Sequence, residues 1–495
     1  MSAPRPVRLA EIVARLDAAG LLAATPPEGD VRLSGIADDS RRVEPGMLFC
    51  AWAGTSADAH RFLPQAGAAG AAAFLVERAG GEGDVPCVVV RDGRRAAAIA
   101  ATGVYGDPQD ELVLVGITGT NGKTTTAWLL RHVLSARWPA ASLGTLGAVL
   151  ERGQRVSASD TLTTPGPVEL AATLRALVDR GVRALAMEVS SHALDQGRVD
   201  ALRFDVGIFT NLSRDHLDYH GTLESYLQAK LQLARLLRAE GAAVANADDN
   251  AWSGLGATVP RMVRFAIHNE ADVKASSLEI DGRGAHFQLD TPAGSVAVAL
   301  PLLGAYNVAN ALAAAAAGVA LGLTPGEIGS QLDTTPQVPG RLERIATTPC
   351  PVLRDYAHTP DALERALATL RPLTDGRLIV VFGAGGDRDR GKRPLMGAAA
   401  QAGADEVIVT SDNPRTEDPD AIIDDITEGM RAGFMRITDR HAAIATALDM
   451  AAPDDIILLA GKGHETYQIV GTQKRSFDEA AIVRDLLGNG AGVGA

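Results

Sequence analysis

The sequence predicts an α/β protein of about three domains, built around a central parallel-sheet domain that carries a phosphate loop. Three observations predict this. At 495 residues the chain is too long for one core. Apolar, β-branched runs alternate with helical patterns through most of its length. The stretch from Val113 to Leu130, VLVGITGTNGKTTTAWLL, joins a strand to a helix through a glycine-rich turn.

That stretch organises the rest. Val113–Ile117 is the kind of run a buried parallel strand uses. It breaks at Thr118-Gly119-Thr120-Asn121-Gly122 and restarts as a helical pattern from Lys123. Such a turn cradles phosphate, because unpaired backbone N–H groups and the positive helix end converge on one spot. Lys123 adds a charge for the outer phosphates, and the Thr124 hydroxyl is placed to reach Mg²⁺. The usual first glycine of G-x-x-x-x-G-K-T falls on Ile117, so an ordinary loop containing Gly-Lys-Thr is the competing reading. The flanking strand and helix favour an ATP site.

Before that strand, Leu9, Ile12, Val13, Leu16 and Ala19 predict an amphipathic opening helix. Met47–Ala51, Phe74-Leu75-Val76 and Val85–Val90 predict strands, and the turn cluster Tyr105-Gly106-Asp107-Pro108 marks a boundary. The expected domains are therefore 1–110, 111–338 and 339–495. Later strands of the second are Ala184–Val189, Val206–Leu212 and Ala242–Ala245; the Pro/Gly-rich segment Thr335–Gly340 closes it. The third repeats the alternation at Val352–Asp355, Leu378–Phe382, Glu406–Thr410 and Ile456–Ala460. Polar clusters follow these runs, where open parallel sheets bind ligands, and they predict a cleft between the second and third domains.

A formal net charge of -13 argues against a general nucleic-acid or anionic-membrane binder, so an anionic substrate needs local cations. Cys50, Cys87 and Cys350 are scattered, with no C-x-x-C pair, which fits a reducing cytoplasm and no cysteine zinc site. Charges at Arg5, Arg8, Glu11, Arg15 and Asp17 exclude a signal-peptide core. From Thr291 to Gly326 no residue is charged, but Pro301, Gly304, Asn307 and Asn310 interrupt the run. A strand followed by a buried helix, Asn307 to Leu321, is expected there instead of a membrane span.

Several clusters carry candidate chemistry. Glu188 ends a strand of the phosphate-loop sheet, where it could orient Mg²⁺ or rest as a solvated carboxylate. His216 and His220 stand at i, i+4, but Leu217 occupies the place of a zinc protease's Glu. An Mg²⁺ ligand beside ATP is the preferred role for His216, and a structural one for His220. Lys230 reads as an exposed helical lysine. The run Asp387–Arg393 is either a solvated charge run or an anion site. Asp412-Asn413-Pro414-Arg415 joins a fixed turn to one guanidinium fork, which suits a carboxylate. Gly461-Lys462-Gly463-His464-Glu465 offers close backbone approach and an acid for an ammonium group.

The Thr118–Thr124 loop, Asn211 with Asp215–Gly221, Asp412–Arg415 and Gly461–Glu465 together resemble the Mur ligases of peptidoglycan synthesis, in order and over nearly the whole chain. The family's loop has the TGTNGKT form, which accounts for Ile117. The resemblance implies an N-terminal uridine-nucleotide domain, a central ATPase-like domain and a C-terminal Rossmann-like domain. It assigns Gly119, Thr120, Asn121, Gly122, Lys123, Thr124, Thr125, Asn307, Arg341 and Asp355 to ATP. Ser40 and Gly54-Thr55-Ser56-Ala57 would hold the uridine diphosphate end of a UDP-muramoyl-dipeptide, and Thr163, Thr164, Ser190, Gln196 and Arg198 its dipeptide end. Lys230 matches a lysine that the family carbamylates for Mg²⁺, alongside Thr124, Glu188 and His216. Arg388, Asp412, Asn413, Pro414, Arg415, Gly461 and Glu465 match a diaminopimelate site. Leu162 stands where an asparagine is common and stays unassigned.

The implied activity is an ATP-dependent ligase with Lys123, Glu188, His216 and Lys230 in the catalytic centre. It would phosphorylate the D-glutamate γ-carboxylate of UDP-N-acetylmuramoyl-L-alanyl-D-glutamate, then join that carbon to the amine of meso-diaminopimelate. Expected partners are these small molecules, ATP and Mg²⁺, with a monomeric cytoplasmic chain, no nucleic acid and no membrane insertion. A lysine-adding or folylpolyglutamate-type ligase is the nearer alternative, against which Arg415 speaks. A phosphate-loop motor or switch is the more distant one; it would not need Arg388, Arg415 and Glu465.

Overall fold

Leu9, Ile12 and Leu16 recur at helical spacing and form the buried stripe of helix α1 (Leu9–Ala18). This helix belongs to a computed structural model that describes residues 6–54, 58–78, 85–151, 153–157 and 162–490. The chain divides into two units. The first is Met1–Ser276 with Gln288–Ala297 and Ala309–Leu332; the second is Ser277–Phe287 with Val298–Val308 and Asp333–Ala495.

In the first unit a small parallel sheet runs β1 (Gly35–Ala37), β2 (Met47–Ala51), β3 (Ala73–Val76) and β4 (Cys87–Val89). Helix α2 (Gly93–Val104) follows, capped by Asp92, whose carboxylate accepts from the Arg95 N–H at 3.0 Å. The predicted strands are present here: Met47–Ala51 has the expected bounds, the strand at Phe74 starts one residue earlier, and the strand expected over Val85–Val90 is confined to Cys87–Val89.

The larger sheet is centred on β5 (Val113–Thr118), the strand before the phosphate loop, which leads into α3 (Lys123–Leu134). Then follow β6 (Ala140–Gly144), β7 (Gly147–Leu150), α4 (Pro167–Asp179), β8 (Ala184–Glu188) and the short α5 (Ser191–Asp195). After β9 (Phe204–Phe209) come α6 (Leu223–Arg235), β10 (Leu237–Asn246), β11 (Arg261–Ala266) and β12 (Val273–Asp281). Strand order is β7-β6-β8-β5-β9-β10-β11-β12. All neighbours are parallel except the β6–β7 hairpin. No strand is predicted from the sequence at β6, β7, β11 or β12. Ala140-Ala-Ser-Leu-Gly144 is small and largely unbranched, and exposed positions break up Arg261–Ala266. Val168 and Ala171 of α4 pack into the same core as Leu9, Ile12, Leu75 and Ala97, so both sheets of this unit share apolar contacts.

This order decides where chemistry can occur. β8 and β9 flank β5 in register, with Glu188 opposite Ile117 and Phe209 opposite Thr118. The carboxyl ends of these strands therefore open beside one another, and the chain leaves β5 toward one side and returns on the other. Such a switch point leaves a crevice for ligand.

Beyond β12 the chain forms β13 (Gly284–Thr291), β14 (Gly294–Leu300) and α7 (Ala305–Ala320). The expected strand and helix are both present, and Ala311–Ala317 are wholly buried. Among the described residues no helix is long and apolar enough to cross a membrane.

The second unit carries β15 (Glu343–Ala346), β16 (Val352–Asp355), α8 (Pro360–Leu370), β17 (Leu378–Phe382), α9 (Lys392–Gly403), β18 (Glu406–Val409), α10 (Pro419–Thr427), β19 (Met435–Arg436), α11 (Arg440–Met450), β20 (Ile456–Ala460) and α12 (Glu479–Gly490). Its sheet order is β15-β16-β20-β17-β18-β19, parallel except at β15. Apolar clusters cover both faces, which is why these strands read as continuous apolar runs. Arg440 and Glu479 pair between α11 and α12 at 2.8 Å with no exposed surface on either side chain, and Arg440 Nη2 donates to Ala460 O at 2.9 Å. Glu479→Ala should lower the unfolding free energy of this unit by about 3–5 kcal/mol, because it strands a buried guanidinium. Urea titration of the variant checks it; a loss below about 1 kcal/mol would mean that water reaches Arg440.

Candidate functional site

The phosphate loop is shaped by β9 and α7 as much as by its own glycines. Thr120 N–H donates to Asn211 O at 2.8 Å and Asn121 N–H to Asn211 Oδ1 at 2.9 Å. Thr210 Oγ1 and Asn211 Nδ2 both donate to Asn121 O, at 2.8 and 3.1 Å. Gly122 adopts φ +84°, and a Cβ there would overlap Asn310 Oδ1. Lys123 Nζ lies across the loop, donating to Gly119 O at 2.8 Å and Thr120 O at 2.9 Å. Helix α3 starts at Lys123, so its N-terminal end faces the same mouth.

Glu188 meets this loop. Thr124 Oγ1 donates to Glu188 Oε2 at 3.0 Å, and Thr145 N–H donates to Glu188 Oε1 at 2.8 Å. The carboxylate is 2% exposed, which sets aside the reading of Glu188 as a solvated strand end. Gly144 makes room for it, since a Cβ there would overlap the carboxylate. A threonine hydroxyl beside one carboxylate suits Mg²⁺, which takes hard oxygen ligands and keeps waters or phosphate oxygens in its other positions. Among the described residues no group of three or more His, Cys, Asp or Glu could hold a metal by itself.

Lys230 is not the exposed helical lysine its sequence suggested. It is 1% exposed, and its ammonium sits 4.1 Å from the centre of the Tyr226 ring. No hydrogen bond or ion pair to it is found among the described residues. Burial, aided by the charge of Lys123, pushes its pKa well below the ordinary lysine value, which favours the neutral amine. Tyr226 is the hub here, and sequence reading missed it. Its OH donates to Thr120 Oγ1 at 3.4 Å, and its ring lies 6.2 Å from that of His216. His216 is half-exposed, at φ +53°. His220 holds Ser191 Oγ at 3.0 Å, which fits its expected structural role. His192 packs 4.8 Å from the His216 ring; burial first, then the neighbouring histidines, push its pKa down to about 4.

The residues expected at the dipeptide form a connected web. Thr164 Oγ1 donates to Glu188 O at 2.9 Å and accepts from Ser190 N–H at 3.0 Å. Arg198 donates to Thr164 O at 2.9 Å and to Gln196 Oε1 at 2.6 Å. Thr163 Oγ1 accepts from Thr145 Oγ1 at 3.4 Å. Ser40 is buried and donates to Gln65 Oε1 at 3.0 Å. A Cβ on Gly166 would come 3.7 Å from Asp38 Oδ2, so the segments carrying Ser40 and Thr164 adjoin. Gly54 is described; Thr55, Ser56 and Ala57 lie outside the described residues.

The second unit gathers the remaining predicted residues. Asp412–Arg415 follows β18 and Gly461–Glu465 follows β20. Asn413 Nδ2 donates to Glu465 Oε2 at 2.8 Å, and its Oδ1 accepts from Lys462 Nζ at 3.1 Å and Ile469 N–H at 2.9 Å. Lys462, absent from the predicted site, is fully buried 3.7 Å from Asp412 Oδ1 and 3.3 Å from Glu465 Oε2. Two carboxylates against one ammonium leave this end of the pocket with one net negative charge. Arg415 has φ +50° and donates through Nη1 to Gly386 O at 2.7 Å. A Cβ on Gly385 would stand 2.9 Å from Arg415 Nη1 and 3.8 Å from Arg388 Cγ, so both arginines flank one glycine. Asn307, Arg341 and Asp355 also belong to this unit. Asp355 accepts from Leu342 N–H at 2.8 Å, its pKa raised by burial, and Arg341 stacks 4.9 Å from the Tyr356 ring centre. Asn307 Nδ2 donates to Leu303 O at 2.8 Å.

A phosphate loop beside a buried acid, and an acid-and-arginine pocket on a second parallel sheet, define a nucleotide-using enzyme for an amino-acid-like substrate. The profile of the Mur ligase middle domain matches residues 117–318, and that of the Mur ligase glutamate ligase domain matches 340–463. This chain belongs to the Mur ligase family. A UDP-N-acetylmuramoyl-L-alanyl-D-glutamate--2,6-diaminopimelate ligase of Geobacter metallireducens is 44% identical over 98% of this chain and 99% of its own. A solved structure of a ligase of the same description is 34% identical, covers 98% of this chain and 100% of its own, and has a TM-score of 0.70. A MurF ligase from Thermotoga maritima in complex with ADP shares the fold at 18% identity, with a TM-score of 0.64 over 87% of this chain and 94% of its own.

Proposed function

We propose that this chain is the ATP-dependent ligase that joins meso-diaminopimelate to the D-glutamate of UDP-N-acetylmuramoyl-L-alanyl-D-glutamate in peptidoglycan synthesis. The observation that carries the reading is the pocket of Asp412, Glu465, Arg415 and Arg388. Diaminopimelate ends in an ammonium and a carboxylate, and acids beside arginines match that pair. On this reading the domains are 1–110 for the uridine nucleotide, 111–338 for ATP and 339–495 for the amino acid. The chain acts as a cytoplasmic monomer.

Phosphoryl transfer asks mainly for positioning and charge neutralisation. Lys123 and the α3 N-terminus hold the outer phosphates while the γ-phosphoryl group passes to the D-glutamate γ-carboxylate. The substrate carboxylate is presented by Thr163, Thr164, Ser190, Gln196 and Arg198, and the uridine diphosphate end by Ser40 and the 54–57 loop. Asn307, Arg341 and Asp355 take the adenosine end. Thr124, Glu188, His216 and a carbamylated Lys230 would hold the Mg²⁺ of ATP, which would supply positive charge against the transferring group. The diaminopimelate amine then attacks the acyl phosphate, and phosphate leaves. Phosphate release tests this: it should stay low with ATP alone, rise with both substrates, and fail when lysine replaces diaminopimelate. Rapid hydrolysis of ATP alone would instead indicate a switch protein.

Lys230 carries a second expected outcome. Its neutral amine attacks CO₂, forming an N–C bond and giving up a proton to solvent, and the resulting carbamate offers anionic oxygens, the hard ligands that Mg²⁺ takes, in place of one amine nitrogen. Lys230→Ala should lose roughly a hundredfold or more in turnover and regain part of it in acetate. Full activity without acetate would exclude the carbamate.

A further inference from the structure

Two loops carry the arginines of the proposed diaminopimelate pocket, and among the described residues neither arginine pairs with Asp412 or Glu465. Arg388 follows β17, in the loop Gly383–Arg390, and Arg415 follows β18. The loops are laced together by their backbones. Gly386 N–H donates to Asn413 O at 2.9 Å, and Arg415 Nη1 donates back to Gly386 O at 2.7 Å. Asp387 accepts from the Thr416 hydroxyl at 2.7 Å.

Glu417 is the knot under this lacing. Its Oε1 accepts from the Asp387 N–H at 2.5 Å and from Arg393 Nη2 at 2.9 Å. Its Oε2 accepts from Arg393 Nη1 at 3.0 Å and from Arg390 Nη2 at 2.9 Å. Arg393 has no exposed surface and also reaches Asp425 Oδ2 at 2.7 Å and Gly385 O at 3.3 Å. The Glu417 carboxylate thus ties the residue before Arg388 to the chain two residues after Arg415. Arg393 holds its pKa down to about 2, so the charge persists at working pH. With four donors on it, Glu417 has little capacity left for substrate.

We propose that Glu417, through Arg393 and the Asp387 N–H, is the positioning residue that sets the spacing of Arg388 and Arg415 and so the selectivity for diaminopimelate. This rests on the reading of the pocket given above. Glu417→Gln keeps the shape and removes the charge. Asp425→Asn is its matched control, since it takes a carboxylate from the same arginine but touches neither loop. Arg-to-carboxylate recognition is bidentate and depends on ångström-scale placement.

Steady-state kinetics with all three substrates, beside thermal melts, should separate the roles. Glu417→Gln should raise the KM for diaminopimelate roughly ten- to a hundredfold and narrow the diaminopimelate-to-lysine ratio. The KM values for ATP and the UDP-muramoyl dipeptide should not move. Asp425→Asn should leave all three KM values unchanged even if its melting temperature falls as far. An unchanged diaminopimelate KM in Glu417→Gln, a joint rise of all three, or an equal effect from Asp425→Asn would each overturn the role. A wild-type enzyme that does not prefer diaminopimelate overturns the reading of the pocket itself, before any variant is compared.

Discussion

Lys123→Ala is expected to reduce ligation by roughly a thousandfold or more, the scale of losing a main electrostatic stabiliser. The charge is preorganised. Nζ lies within 2.9 Å of the carbonyls of Gly119 and Thr120, so it is already at the loop mouth before ATP arrives. The loop's shape does not rest on it alone. Thr210, Asn211 and Asn310 hold the turn from outside, so the variant should melt near the wild-type temperature. The loss should therefore appear in turnover and in ATP binding, not in folding. The check is kcat/KM for ATP at saturating dipeptide and diaminopimelate. Retention of a tenth of wild-type turnover would show that the phosphates are neutralised elsewhere.

Arg415→Ala is expected to erase most of the preference for diaminopimelate over lysine. That preference should reach roughly a thousandfold or more in the wild type, because lysine leaves the pocket's guanidinium unmatched. Diaminopimelate exceeds lysine by one carboxylate at its far end, and the structure offers that group a braced cation. The Arg415 N–H donates to Ile469 O at 3.0 Å, its O accepts from Gly471 N–H at 2.7 Å, and its guanidinium leans on Gly386 O. The neighbouring Asn413 is buried and bonded on both side-chain atoms, so the turn has little freedom to shift. The KM for diaminopimelate should rise steeply while those for ATP and the dipeptide stay in place. Arg415→Lys should recover little, since an ammonium cannot make the two-point contact. If the diaminopimelate-to-lysine ratio of kcat/KM survives Arg415→Ala, Arg388 becomes the reader of the far carboxylate.

By itself the sequence determined the elements that depend on neighbours a few residues away. The continuous apolar runs at 378–382 and 456–460 form strands with those bounds, because a buried parallel strand needs nothing else. The phosphate loop was legible for the same reason, since its chemistry is backbone N–H groups at a helix start. Only tertiary structure decided the strand order, and with it which side chains meet. Thr145 and Glu188 touch because β8 lies between β6 and β5, a crossover that no local period encodes. Asn310 shapes Gly122 from far along the chain. Lys230 read as a solvent-facing helical lysine, yet α6 turns it inward against Tyr226, where burial changes its chemistry. The roles of Lys462 and Glu417 were likewise not legible, as they depend on partners from other loops. Short-range periodicity reports whether a segment is helix or strand and which face is apolar. The charge state and reach of a polar side chain follow from what packs around it, and that is settled only when distant segments come together.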